Sequence, residues 1–343
     1  MNVNIFVFGT DPGLSEYLSS SIKTPDKYYF PTDTPLDYSF LLGDIIILVS
    51  DDMVAIKKTA EHISPEIPLL LITKNCEWFN LVNYPLMKVL NLPLTFIMIK
   101  TYLEEIRASI IKYKHLESHI VGKSREIKKL RSNIVLASTL DTPVNIYGES
   151  GTGKTLAARL IHRLKYSDRD MVYINCANLS SSLADSDLFG HTKGAFTSAH
   201  SSRKGLIHLA HESTLFLDEI GNLPLDQQAK LLDTIENGRY RNVGDDSEHS
   251  SKFRLITAAQ QPLEELLEMK KLREDFYYRI SSFSFGIKPL REHKEDIPEI
   301  VRNYETKKKT LRRSISDFTP FFQSQWKGNI RELLHYLDRI FLV

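Results

Sequence analysis

The residues best suited to chemistry lie in Gly148-Glu149-Ser150-Gly151-Thr152-Gly153-Lys154-Thr155, which fits the spacing G-x-x-x-x-G-K-[ST]. Glycines at these intervals let backbone N–H groups close on phosphate oxygens. Lys154 would reach the β- and γ-phosphates of a nucleotide, and the Thr155 hydroxyl would ligate Mg²⁺. Further on, Leu215-Phe216-Leu217-Asp218-Glu219 ends an apolar run with two carboxylates. Asp218 would hold Mg²⁺, directly or through water, and Glu219 would orient or deprotonate an attacking water. The chemistry implied is binding and hydrolysis of ATP, with Mg²⁺ as cofactor.

These residues need elements to position them. Val144-Asn145-Ile146-Tyr147 reads as a strand before the loop, and Leu156-Ala157-Ala158-Arg159-Leu160-Ile161 as a helix after it. The helix N-terminus adds positive potential where phosphate would sit. The run around Asp218 reads as a buried strand carrying its acids to the same site. The expected fold class is therefore α/β, with a P-loop domain.

Composition narrows the rest. The chain has 343 residues, enough for two or three domains. A net charge of +1 gives no bulk attraction to DNA or an acidic membrane. No apolar run approaches a membrane helix, and the start lacks a charged segment, so neither membrane contact nor a signal peptide is expected. Cys76 and Cys176 form no disulfide framework, which suits a cytoplasmic protein. His208 and His211 read as packing or surface histidines, not metal ligands.

In the first hundred residues, Ile5-Phe6-Val7-Phe8, Asp44-Ile45-Ile46-Ile47-Leu48-Val49 and Pro68-Leu69-Leu70-Leu71-Ile72-Thr73 read as buried strands separated by helices. That pattern indicates a parallel sheet covered on both faces. The region resembles a response-regulator receiver, a flavodoxin-like fold. Thr73 matches that family's hydroxyl, but Val49 occupies the place of its phosphorylated aspartate. Gly9-Thr10-Asp11 replaces the acidic pair, Leu92-Pro93 replaces Lys-Pro, and Asp51 and Asp52 are displaced. The resemblance implies a pseudo-receiver over residues 1–98 that docks or dimerises without accepting phosphate. Ile99, Leu103, Ile106, Ile110 and Tyr113 then lay an apolar seam along a linker helix, residues 99–119. It fits a dimerising helix or one packed on its own domain.

From about Ile120 the chain resembles the AAA+ domain of sigma-54-dependent transcriptional activators. Ile120-Val121-Gly122-Lys123-Ser124 opens the match, and Leu188-Phe189-Gly190-His191-Thr192-Lys193-Gly194-Ala195-Phe196-Thr197-Ser198-Ala199 carries its most specific motif. The resemblance implies an ATPase core over 120–288 and a helical lid over 289–343. Its non-phosphorylated front end is similar to the flagellar master-regulator (FleQ-type) branch. By resemblance, Asn175 restrains Glu219, and Gln260 stands where an asparagine senses the γ-phosphate. Arg273 and Arg279 in Leu272-Arg273-Glu274-Asp275-Phe276-Tyr277-Tyr278-Arg279 would be arginine fingers acting on a neighbouring subunit, which implies self-association, from a dimer to a ring that is usually a hexamer. Arg331 in Trp326-Lys327-Gly328-Asn329-Ile330-Arg331 would touch phosphate from the lid.

The Gly194–Ala199 tip would grip sigma-54 or another sigma factor, with an exposed Phe196 and Thr197 as contacts. Ser198 replaces the family's glycine there, and a serine at φ > 0 would cost about 1 kcal/mol or more. Family members normally continue into a helix-turn-helix domain, whereas this sequence stops at Val343. The expectation is action without direct sequence-specific DNA binding, action through a DNA-binding partner, or a shortened gene product. Lys307-Lys308-Lys309 and Arg312-Arg313 read as a solvated face. Leu116-Glu117-Ser118-His119 lacks the arginine of the cyclic di-GMP-binding relatives, so that ligand is not expected. The expected function is an ATP-hydrolysing remodeller of RNA polymerase holoenzyme. The alternative is a nucleotide-gated regulator acting by protein contacts alone, and a direct DNA-binding repressor ranks below both.

Overall fold

The computed structural model describes residues 4–9, 27–29, 45–49, 53–73, 86–91, 96–179, 184–197, 199–308, 315 and 317–342. Ser198, Cys76, Asp11, Asp51, Asp52, the Leu92-Pro93 pair, Lys309 and the Arg312-Arg313 pair lie outside them. The chain divides into two compact units, 1–136 and 137–343.

The first unit holds strands β1 (Asn4–Gly9), β2 (Lys27–Tyr29), β3 (Ile45–Val49), β4 (Leu69–Thr73) and β5 (Met87–Asn91). They pair in parallel in the order β2-β1-β3-β4-β5. β4 is buried at every position, as a strand covered on both faces requires. The Phe96–Glu117 helix answers the question its apolar seam raises. Leu103, Ile106 and Ile110 join one core with Ile5, Ile45, Ile47, Leu70 and Ile72, so the helix packs on its own unit. Tyr113 is fully buried, and its hydroxyl donates to Glu66 Oε2 at 3.0 Å. Burial pushes that phenol well above its ordinary pKa. The Arg125–Thr139 helix follows. Arg131 donates to the carbonyls of Ile120 and Gly122, and Ser132 Oγ donates to Pro65 O at 2.6 Å.

The second unit has β6 (Val144–Tyr147), β7 (Val172–Asn175), β8 (Gly190–His191), β9 (Arg203–Lys204), β10 (Thr214–Asp218), β11 (Arg239–Arg241), β12 (Glu248–Ser250), β13 (Arg254–Ala259) and β14 (Phe283–Gly286). Five of them make a parallel sheet, β14-β6-β13-β10-β7. β8 with β9 and β11 with β12 form two small antiparallel pairs. β10 and β13 are buried throughout, and Leu215, Leu217, Leu255 and Ala259 pack with Leu188, Leu231 and Phe276. The chain leaves β6 for the far side of the sheet and later returns to its other flank with β14. The crevice beyond the carboxyl end of such a strand is where open α/β sheets place ligands.

Helices Ile297–Lys307, Thr319–Gln323 and Asn329–Leu342 close the chain around Leu290, Val301, Phe321, Trp326, Leu333 and Leu337. Among the described residues no helix is long and apolar enough to cross a membrane.

Candidate nucleotide site

β6 runs directly into the glycine loop, and the Lys154–Lys165 helix begins at its end. Gly153 is the residue before the helix, with φ 105°, and no side chain caps the first turn. Its backbone donors face an anion-binding position. Gly151 is needed for a different reason. A Cβ there would lie 2.1 Å from Gly328 O, a backbone atom that cannot give way. Lys154 is buried, and burial lowers its pKa. Its ammonium donates to Gly148 O at 2.7 Å and Glu149 O at 3.1 Å, so the loop carbonyls hold it in place. Thr152 Oγ1 donates to Glu149 O at 2.9 Å.

β10 brings its acids to the same end of the sheet. Thr155 Oγ1 donates to Asp218 Oδ2 at 3.3 Å. The hard oxygens of Thr155 and Asp218 fit Mg²⁺, which takes few protein ligands and keeps its waters. Glu219 adopts φ 56° and ψ 50°, left-handed for a non-glycine, and its N–H donates to Asp218 Oδ1 at 3.0 Å. Such conformations cost on the order of 1–3 kcal/mol and cluster where a side chain must be aimed. Asn222 donates to Glu219 Oε2 at 3.1 Å, and Gln260 donates to Oε1 at 3.5 Å. Cys176 lies buried beside these acids, and burial pushes its thiol up to about 12, which leaves it unreactive.

The remaining expected residues fall in three places. Asn175 ends β7 in register with Asp218, but its carboxamide oxygen accepts from Ala177 N at 2.9 Å, and no hydrogen bond joins it to Glu219. Asn175 is the cap of the short 3₁₀ turn that follows β7, whose first N–H groups have no partner within the turn, and its side chain satisfies one of them. Arg331 does reach the loop: its Nη1 donates to Ser150 Oγ at 3.3 Å. Arg273 and Arg279 do not. Arg273 forks onto Asp275 at 3.0 and 2.7 Å, and Arg279 donates to Ile235 O at 3.3 Å. Both guanidiniums are exposed.

The Gly194–Ala199 tip departs from its expected exposure. Phe196 is half-buried, with its ring 4.9 Å from the His191 ring, which Ser186 Oγ holds at 2.7 Å. Ala199 is buried and donates to Phe196 O at 2.9 Å, while Ala195 donates to Thr192 O at 3.2 Å and Thr197 is exposed. Thr192 Oγ1 and N donate to the carbonyls of Gly244 and Val243, so this loop rests on the loop after β11. A phenylalanine five residues from a histidine finds local cover that the motif's small residues do not supply. His208 and His211 bond to Tyr240 and to Lys252 N, and no cluster of three metal-ligating side chains occurs among the described residues.

One part of the site escaped sequence reasoning. Glu149 accepts a two-pronged ion pair from Arg291, at 2.8 and 2.5 Å. The Asn329 amide donates to Glu149 Oε2 at 3.2 Å and Ser150 O at 3.0 Å. These partners are 142 to 180 residues apart, and no local spacing announces them.

The family description "Sigma-54 interaction domain" matches residues 120–286. Residues 120–286 are a sigma-54 interaction domain. Over this domain and its flanks the chain is 37% identical across 240 residues to the anaerobic nitric oxide reductase transcription regulator NorR of Vibrio vulnificus, covering 68% of this chain and 47% of that protein. It is 40% identical across 227 residues to the transcriptional regulatory protein ZraR of Klebsiella oxytoca, covering 64% and 51%. With the formate hydrogenlyase transcriptional activator FhlA of Escherichia coli the figures are 37% across 231 residues, 65% and 33%. The chain thus spans a third to a half of the curated relatives it matches. A crystal structure of NtrX from Brucella abortus in complex with ATP superposes with a TM-score of 0.59 at 20% identity, covering 100% of this chain and 83% of that one. That likeness is one of fold. The phosphate loop, Asp218, Glu219 and the Gly194–Ala199 tip all lie within the sigma-54 interaction domain, and Arg331 lies beyond its matched end.

Proposed function

We propose that this chain is an AAA+ ATP hydrolase that regulates sigma-54-dependent transcription by remodelling RNA polymerase holoenzyme. The observation that carries the reading is the meeting of the glycine loop, Lys154 and Thr155 with Asp218 and Glu219 at one end of one sheet. The relatives' names, all transcriptional regulators or activators, support the regulatory part.

In this mechanism the loop N–H groups and Lys154 bind the phosphates, Lys154 exchanging two loop carbonyls for phosphate oxygens. Thr155 and Asp218 would hold Mg²⁺, which when bound would supply positive charge beside the phosphates. Glu219 orients the attacking water and takes its proton, with Asn222 and Gln260 fixing the carboxylate. Gln260 also senses the phosphate. Asn175 restrains Glu219 by leaving its cap on Ala177, and Arg331 reads the phosphates beside Ser150. Arg273 and Arg279 are tied only within their own surroundings, which suits fingers that serve the next subunit of a ring.

The Gly194–Ala199 tip engages sigma-54 or another sigma factor after Phe196 leaves His191. The strand order 2-1-3-4-5 supports a receiver-like first domain, since that order is one of the two common doubly wound ones. Val49 at its expected phosphorylation position supports a role in assembly, not phosphate transfer. The helices over 289–343 act as the lid. The site of action is the cytoplasm, and promoter DNA is reached through a DNA-binding partner or a further domain.

The packing of Phe196 on His191 favours the second reading, a nucleotide-gated regulator without remodelling. Phosphate release measured against protein concentration, with Glu219→Gln alongside, separates the two. Cooperative turnover lost in the variant is expected. ATP binding without turnover at any concentration would leave the gated regulator.

A further inference from the structure

Glu149 sets a problem for a phosphate site. It is the second residue of the glycine loop, so a carboxylate stands beside the place where a triphosphate would bring several negative charges. Like charges within a Debye length, about 10 Å at 0.1 M salt, repel. The loop answers with Arg291, whose guanidinium covers both carboxylate oxygens, and with the Asn329 amide. Together Arg291 and Asn329 hold the Glu149 carboxyl down at about 2, far below the ordinary range. Asn329 is itself fully buried and adopts φ 54°. Its oxygen accepts from Leu290 N at 2.8 Å, one residue before Arg291 in the chain. Arg291 and Asn329 are therefore fastened to each other as well as to the loop. Gly328 packs on Gly151, and Arg331 N donates to Gly151 O at 3.3 Å.

We propose that Arg291 is a positioning residue that cancels the charge of Glu149, and that this neutralised clamp, with Asn329, sets the affinity of the loop for polyphosphate. The inference rests on the nucleotide-binding reading given above. It differs from a purely mechanical clamp in the sign of one effect. A mechanical clamp weakens when either partner is lost. A charge-cancelling clamp weakens only when the cation is lost, because Glu149→Gln removes the repulsion and keeps an amide for hydrogen bonding.

The test is equilibrium binding of ATP, ADP and AMP to the full chain as wild type, Arg291→Ala, Glu149→Gln and the double variant. Arg291→Ala should bind ATP on the order of tenfold more weakly, with a smaller loss for ADP, the smallest for AMP, and all losses shrinking with added salt. Glu149→Gln should bind ATP at least as tightly as wild type, and the double variant should regain most of the loss. Arg291→Lys, which keeps the charge and the fold, should stay near wild type and serves if the alanine variant fails to fold. Equal weakening by Glu149→Gln and Arg291→Ala would overturn the proposal in favour of a mechanical clamp. A double variant no better than Arg291→Ala would overturn it in favour of direct phosphate contact by Arg291. If the wild type bound no nucleotide at all, the underlying reading would fall instead.

Discussion

Among the described residues the chain forms two five-stranded parallel sheets, and they differ where their strands end. In the first, β3 ends on Val49 and β4 on a buried Thr73. In the second, β6 ends in a glycine loop and β10 in Asp218 and Glu219. The sheets bury the same kinds of side chain, with Ile45 and Ile47 in one and Phe216 and Ile256 in the other all fully covered. A parallel sheet supplies a crevice at its carboxyl edge, but the residues placed there decide whether it does chemistry.

The largest test of this contrast removes a charge from one edge and a hydroxyl from the other. Lys154→Ala should weaken ATP binding roughly 100-fold, because it deletes several charge-assisted hydrogen bonds. Thr73→Val, at the matching edge of the first sheet, should leave ATP affinity unchanged. Titration calorimetry reads both. A loss in Thr73→Val comparable to that in Lys154→Ala would mean the first edge takes part in the nucleotide site.

A second test uses the cores. Ile47→Ala and Phe216→Ala each empty a buried position, at a cost of about 2–5 and 3–5 kcal/mol respectively. ATP at a hundred times its dissociation constant should restore about 2.7 kcal/mol to the unit that binds it. Denaturant unfolding should then show ATP opposing the Phe216→Ala loss and leaving the Ile47→Ala loss in place. Equal rescue of both would mean that the two units unfold as one.

These contrasts were unevenly legible in the sequence. The glycine loop and the Asp218-Glu219 pair could be read because their chemistry is local: a few consecutive residues specify both the turn and the donors. The seam Leu103, Ile106 and Ile110 was legible as a helical face, but not its partner. Whether such a face meets its own sheet or a second copy depends on contacts distant in sequence, and the structure places it on the first sheet. The edge strand Lys27–Tyr29 carries too short a signal to be read at all. Phe196 was expected to be exposed because its neighbours are small, yet one ring at His191 half-covers it. The clamp on Glu149 was hidden for the reason that hides most ion pairs. A lone acid in a loop is ordinary until the fold brings Arg291 to it.

The smallest effect concerns pH, and it too should separate the two units. His162 is buried beneath the second sheet, with Nδ1 2.9 Å from Thr214 Oγ1 and Nε2 2.7 Å from Arg169 O. The carbonyl of Arg169 can only accept, so Nε2–H donates to it and the Thr214 hydroxyl donates to Nδ1 of a neutral ring. Burial lowers the pKa of His162. The Arg169 carbonyl and Asp170 oppose the shift, while Arg254 and Arg163 add to it. A histidine whose folded pKa lies below its unfolded value binds fewer protons folded than unfolded. Its contribution is therefore present above the unfolded pKa and is lost as pH falls below about 6.5, by no more than about 1.4 kcal/mol per pH unit. The buried phenol of Tyr113 in the first unit is shifted upward and stays neutral through this range. Unfolding followed at pH 7.5 and 5.5 should show the second unit weakening, and His162→Gln, which keeps a donor and an acceptor, should flatten that dependence. An undiminished loss in the variant would move the titration to another group.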